Sequence, residues 1–189
     1  MDTWDLPDMQ RLAPLKLSCD IVIPTYDEDI EIVEPTIIGA LEVRGQTKIW
    51  LLDDGRRPEM AKLAKQYGIE YRIRDSNLHA KAGNINAVLP DLQSDLLLVI
   101  DADHVPAPDF LEATTGYFAD PKMALVQTAH SFRNQNSVAH DSGARNDQSL
   151  FFDVIMPGKN RINAVLWCGS AAILPAETFK SNLPVNKAN

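Results

Sequence analysis

Two aspartates separated by one alanine, Asp101 and Asp103, close an apolar run in the stretch LLLVIDADHVPAPDF, Leu96 to Phe110. Carboxylates this close repel one another unless something positive lies between them. If the chain stays extended through Ala102, both project from the same side of a strand. Such a pair suits a hard divalent cation that also takes oxygens from a diphosphate. The spacing alone is a weak signal, because the chain holds 18 Asp and Asp27 with Asp29 repeats it. Its position gives it meaning: it follows five apolar residues and shares a sheet edge with further acids.

Those further acids stand at two other strand ends. One apolar run leads into PTYDED, and another, KIWLLDDG, ends on Asp53 and Asp54. Adjacent residues on a strand face opposite ways, so one of Asp53 and Asp54 is expected to face a ligand while the other braces the loop. Positive charge comes from SNLHAKAGNIN, Ser76 to Asn86. There Lys81 sits near the start of a helix among Ala80, Ala82 and Gly83, small residues expected to let a ligand approach the backbone. A helix N-terminus with a lysine is a ready diphosphate site. Arg72, Arg74 and His79 lie nearby and read equally well as surface residues.

Other chemistries find little support. His79, His104, His130 and His140 show no metal-ligand spacing, and neither Ser170 nor Cys168 sits in a nucleophile elbow. The sequence carries no P-loop and no G-x-G-x-x-G. Metal-assisted transfer from a nucleotide diphosphate remains.

The elements that must position these residues alternate. Strands are predicted at Cys19–Pro24, Lys48–Gly55, Ile69–Arg74, Asp95–Asp103 and Met123–His130. Helices are predicted at Asp29–Val43, Pro58–Tyr67, Ala80–Leu89 and Pro108–Ala119. Strands apolar on both faces suit a parallel sheet covered by helices, so the fold class is α/β, doubly wound, with ligands beyond the carboxyl ends of the strands. After Ser131 the pattern loosens. Residues 1–18 read as an N-terminal arm and residues 19–189 as one domain.

At 189 residues, 45% apolar and 23% charged, the composition is that of a globular domain. A net charge of −8 argues against nucleic acid or an anionic membrane as a generic partner. Cys19 and Cys168, each beside apolar residues, read as buried thiols in a reducing compartment. No run approaches the roughly 20 apolar residues of a spanning helix, so the piece is expected to be soluble and cytosolic.

Taken together, VIPTYDE, LLDDG, HAKAGNIN, VIDADHVP, VQTAHSF and PGKNRINAVLWCGSAAIL resemble, in order, the motifs of family 2 glycosyltransferases of the GT-A fold. Within that family they are most similar to the bacterial cellulose synthases. The resemblance covers Cys19 to Leu174 and implies a mostly parallel sheet flanked by helices. It further implies an inverting, processive hexosyltransferase that passes glucose from UDP-glucose to a growing β-glucan.

Thr25, Tyr26 and Glu28 would then line the nucleotide pocket, and Asp53 or Asp54 would hold the uridine. Lys81 would contact the diphosphate, Asp101 would face the sugar and diphosphate, and Asp103 would hold Mg²⁺ or Mn²⁺. His130, Cys168, Gly169 and Ser170 would lie near the β-glycan acceptor.

The family's base, the acid of a T-E-D motif, and its Q-x-x-R-W acceptor motif are not found before Asn189. Asp141, Asp147, Asp153 and Glu177 are the substitutes to consider. Ala129 and Ser131 stand where cellulose synthases carry Pro and a second His. The chain therefore reads as a fragment, incomplete at its C-terminus. Its parent would be embedded in the bacterial inner membrane with accessory synthase subunits. The alternatives are a non-catalytic nucleotide-sugar-binding or scaffold domain, and a sugar nucleotidyltransferase, whose glycine-rich N-terminal loop is missing from IVIPTYDED.

Overall fold

The computed structural model describes residues 12–130 and 151–181. Six strands form one sheet: β1 Cys19–Thr25, β2 Thr47–Asp53, β3 Glu70–Arg72, β4 Leu96–Val99, β5 Val126–Gln127 and β6 Ala172–Pro175. Their order is β3-β2-β1-β4-β6-β5. The first four strands run parallel, while β6 pairs antiparallel with both β4 and β5.

Alternation along the strands builds two cores. Ile21, Ile23, Ile49, Leu51 and Leu98 meet Val33 and Ile37 of α1 (Ile30–Glu42), Met60 and Leu63 of α2 (Pro58–Tyr67), and Phe110 and Leu111 of α4 (Phe110–Thr114). Val22, Trp50, Leu52, Leu97 and Val99 point the other way, against Ile85 and Val88 of α3 (Ala80–Val88) and the following Leu89 and Leu92. One polar group is folded into this second core: Asp20 is 1% exposed. It accepts from Trp50 Nε1 at 2.8 Å and from the Gln93 and Ser94 amides at 3.0 Å each, so its burial is compensated.

The winding reverses at β1. From β1 the chain steps outward through β2 to β3, then returns to lay β4 on the other flank of β1. Such a switch point opens a crevice at the carboxyl ends of the strands. The register puts Thr25 opposite Asp53, and Ile100 N–H donates to Val22 O at 3.1 Å, so the ends of β1, β2 and β4 share that edge.

Several expected elements come out differently. The strand expected over Asp95–Asp103 stops at Val99, and the chain turns, with His104 N–H donating to Asp101 O at 3.0 Å. The strand expected over Met123–His130 is reduced to Val126–Gln127 and is half-buried, because it lies at the sheet edge with β6 as its pairing partner. The helix expected over Pro108–Ala119 is α-helical only over Phe110–Thr114 and tightens to a 3₁₀ turn over Thr115–Ala119. Strand β6 has no counterpart among the expected elements. No helix among the described residues is long and apolar enough to cross a membrane.

Candidate functional site

A cleft of about 640 Å³ opens at the switch point, lined by residues from the ends of β1, β2 and β4 and the start of α3. On the β1 side, Glu28 Oε2 accepts from Thr25 Oγ1 at 2.6 Å and from the Tyr26 amide at 2.8 Å. Burial alone would raise the Glu28 carboxyl. The hydrogen bonds from Thr25 and Tyr26, with the Arg57 charge behind them, outweigh it and hold the group below its ordinary value. Tyr26 itself is 58% exposed at the rim.

The adjacent acids after β2 divide their work. Asp53, fully buried, accepts from the Gly55 amide at 2.9 Å, the Arg57 amide at 2.6 Å, Arg57 Nε at 3.2 Å and the Tyr71 hydroxyl at 2.9 Å. It braces the loop and does not line the cleft. Burial and this bond to Asp53 push the Tyr71 hydroxyl above its usual range. Asp54 does line the cleft, gripped by Arg74, whose Nε and Nη2 reach its two oxygens at 2.6 Å each. Arg57 extends the brace to β1, donating to Thr25 Oγ1 at 2.8 Å and Glu28 O at 2.5 Å.

Across the cleft, the Lys81 ammonium pairs with Asp101 and donates to Gly169 O at 2.5 Å. Gly83 does not serve ligand approach as expected. It faces the preceding loop, and a Cβ there would collide with Leu78 O and the Arg74 guanidinium.

The turn after β4 brings Asp101 and Asp103 together by folding back instead of by strand alternation, and it adds His104. Ligand atoms of Asp101, Asp103 and His104 all lie within 4.8 Å of one another. The reading that no histidine has ligand spacing is thus corrected, since a turn can gather residues that strand periodicity would separate. The two hard carboxylate oxygens are donors that suit Mg²⁺ or Mn²⁺, while the imidazole nitrogen is a softer donor that the harder Mg²⁺ accepts least readily. Asp103, its side chain 67% exposed, is the most open of the three.

Behind this turn lies the C-G-S segment. Ser170, 1% exposed, has its Oγ 2.8 Å from the Asp101 amide, which donates to it, and 2.9 Å from His104 Nδ1. Gly169 sits at φ +88° and Ala171 at φ +51°. Gln127 clasps the turn: its Oε1 accepts from the Cys168 amide at 3.0 Å and its Nε2 donates to Ser170 O at 2.9 Å. The His130 ring lies tilted against that of His104, with centroids 4.5 Å apart; burial, and then the neighbouring His104, lower its pKa. Cys168 is exposed, which corrects its reading as a buried thiol, whereas Cys19 is buried.

Thr25, Tyr26, Glu28, Asp54, Lys81, Asp101 and Asp103 therefore meet on one cleft. Gly169, Ser170 and His130 stand behind it, and Asp53 lies beneath it. Arg57, Arg74, Gln127 and His104 carry much of the geometry and were not singled out by spacing. The one available signal was His104 directly following the acidic pair. Of the possible bases, Glu177 follows β6, whose Pro175 pairs with Leu96 at the start of β4, so it lies at the opposite sheet edge from Asp101. Asp141, Asp147 and the Asp153 side chain lie outside what is described, as does Ser131.

Residues 20–179 match the family model Glycosyl transferase family 2. The chain belongs to glycosyl transferase family 2. Among its relatives in this family, it is 38% identical over 177 residues to a cellulose synthase catalytic subunit [UDP-forming] of Xanthomonas axonopodis pv. citri (strain 306), covering 89% of this chain and 24% of the relative. It is 40% identical over 163 residues to cellulose synthase 1 of Komagataeibacter xylinus, covering 82% of this chain and 10% of the relative. The chain thus spans a quarter or less of the length of these relatives.

Solved structures share the fold at low identity. Glucosyl-3-phosphoglycerate synthase from Mycobacterium tuberculosis, in complex with Mn²⁺, UDP and glucosyl-3-phosphoglycerate, superposes with a TM-score of 0.56 at 16% identity, over 94% of this chain and 63% of that one. S. aureus TarS 1–349 in complex with UDP-GlcNAc gives 0.61 at 11% identity, over 87% and 47%. These likenesses establish the GT-A fold.

Proposed function

We propose that this chain is the donor-binding core of an inverting, processive β-glycan synthase that uses UDP-glucose. The observation that carries the reading is the pairing, across one cleft, of a wall formed by Thr25, Tyr26, Glu28 and Asp54 with a charged end built from Lys81, Asp101 and Asp103, the two acids having His104 beside them. The identity to cellulose synthases supports glucose as the sugar and a β-glucan as the acceptor.

Lys81 offers N–H donors to the diphosphate, a charge-assisted contact that a water-filled site could not match in strength. Asp54 and the Glu28 loop orient the nucleoside. A divalent ion held by Asp103 with Asp101 and His104 would neutralise charge growing on the leaving diphosphate. The turn at Cys168–Ser170, fixed by Gln127, meets the acceptor.

The attacking hydroxyl must lose its proton to a base. The four cleft carboxylates have other roles in this reading: Glu28 is bonded to Thr25 and Tyr26, Asp54 to Arg74 and Asp101 to Lys81, and Asp103 would hold the divalent ion. The base is therefore assigned to residues outside those described, as the family's T-E-D acid would be. A longer, membrane-embedded parent with accessory subunits belongs to the same proposal.

Calorimetric binding of UDP-glucose and GDP-mannose in Mn²⁺ tests the donor assignment. UDP-glucose should bind at least about tenfold more tightly, ~1.4 kcal/mol. Equal affinity for the two would refute a uridine-specific cleft.

A further inference from the structure

We propose that Arg74 is a positioning residue that ties the two ends of the donor cleft together, so that a nucleoside diphosphate is read as one unit. The proposal rests on the donor-site reading above and assigns a device that the acidic motifs themselves do not contain.

One guanidinium makes four hydrogen bonds in two directions. Toward β2 it holds both oxygens of Asp54 at 2.6 Å each. Toward α3 it donates to Leu78 O at 2.6 Å and to Ala80 O at 2.8 Å. The first pair fixes the carboxylate on the nucleoside wall. The second fixes the turn immediately before Lys81.

That turn needs an external clamp. His79 at φ +62° and Ala80 at φ +43° are consecutive non-glycine residues in the left-handed region, a conformation that persists only when the surroundings over-determine it. No side chain caps the start of α3. Arg74 holds the turn by donating to its carbonyls, and its own carbonyl accepts from Arg56 Nε at 2.9 Å. Arg56 also donates to Asn77 Oδ1 at 2.8 Å, and Asn77 Nδ2 donates to Asp54 O at 3.1 Å, which closes the ring around the guanidinium.

Gly83 is fitted to the same clamp. A Cβ on it would strike Leu78 O and Arg74 Nη1 and lie 3.1 Å from His79 Cβ, so α3 can pack against the turn only without a side chain there. Lysine could not replace the arginine: a compact ammonium cannot span two carboxylate oxygens and two carbonyls as a planar fork does. Because Asp54 and the Lys81 turn hang from one rigid group, a shift at either end is felt at the other.

The test compares dissociation constants for UDP and UMP in Mn²⁺. In Arg74→Lys, UDP affinity should fall about tenfold while UMP falls much less, so the UDP-over-UMP preference collapses. In Lys81→Ala, adding Arg74→Lys should leave that preference unchanged, the non-additivity expected of residues acting through one another. Gly83→Ala, which keeps every charge but crowds the turn, should lose the same preference, and it carries the test if Arg74→Lys does not fold. Equal losses for UDP and UMP in the variants, or a double variant showing the full product of the single effects, would overturn the proposal. A wild-type chain that binds no UDP would remove the donor-site reading itself, a result visible before any variant is made.

Discussion

The Lys81 ammonium joins the Asp101 carboxylate to the Gly169 carbonyl, so a single cation links the turn after β4 to the turn before β6. A bound diphosphate would compete with Asp101 and Gly169 for its N–H donors. Replacing Lys81 by Met should weaken UDP binding in Mn²⁺ by more than about tenfold, ~1.4 kcal/mol, while UMP binding falls less. The side chains are 37% and 38% exposed, so the stability change should stay within ~1 kcal/mol. Calorimetry and thermal unfolding of the same variant check both statements.

Asp103→Ala should abolish the metal dependence of UDP binding, with a loss of more than about tenfold in Mn²⁺. Its carboxylate is 67% exposed, so the fold should survive. His104→Ala should share the loss of metal dependence. UDP binding in Asp103→Ala that still responds fully to Mn²⁺ would reduce the acidic pair to turn residues.

Asp53→Ala removes the acceptor of two backbone amides, the Arg57 guanidinium and the Tyr71 hydroxyl at a fully buried position. Leaving the Arg57 guanidinium without its carboxylate, and the two amides and the Tyr71 hydroxyl without this acceptor, should cost about 3–5 kcal/mol in urea denaturation. A loss under ~1 kcal/mol would mean that the loop after β2 does not depend on it.

Glu28 gives the pH dependence its sign. Its folded pKa lies below the unfolded value of 4.5, so it contributes stability above that value which is lost as pH falls through the depressed folded pKa. Asp95, held by hydrogen bonds from Ser18, is lowered from 3.8 and acts in the same direction. Unfolding free energy should therefore decline as the pH drops below about 4.5. Glu28→Gln should flatten that limb, and an unchanged limb in denaturant titrations at pH 3 to 6 would show that Glu28 is not responsible.

What the sequence revealed follows from which signals are local. The apolar runs of β1, β2 and β4 are legible because both their faces are buried, and Asp101, Asp103 and Lys81 follow from their place at strand and helix ends. The place of His104 beside the two acids was hidden because it depends on a turn that begins after Val99, before strand alternation could reach Asp101 and Asp103. Arg74 read as a surface residue because its partner Asp54 is 20 residues away, and Arg57, although paired with Asp53 four residues back, reaches Thr25 across 32 residues; nothing local marks either arginine as bracing the cleft. Strand β6 escaped because its antiparallel pairing with β4 draws on residues far apart in the chain, with Leu98 opposite Ile173.

That the cleft at the β1–β4 switch point holds a nucleoside diphosphate together with a divalent cation is tested most directly by titrating UDP into the wild-type chain in Mn²⁺ and again in EDTA. Saturable binding in Mn²⁺ that weakens at least about tenfold in EDTA is the predicted result. Equal binding under both conditions, or none in either, would contradict it.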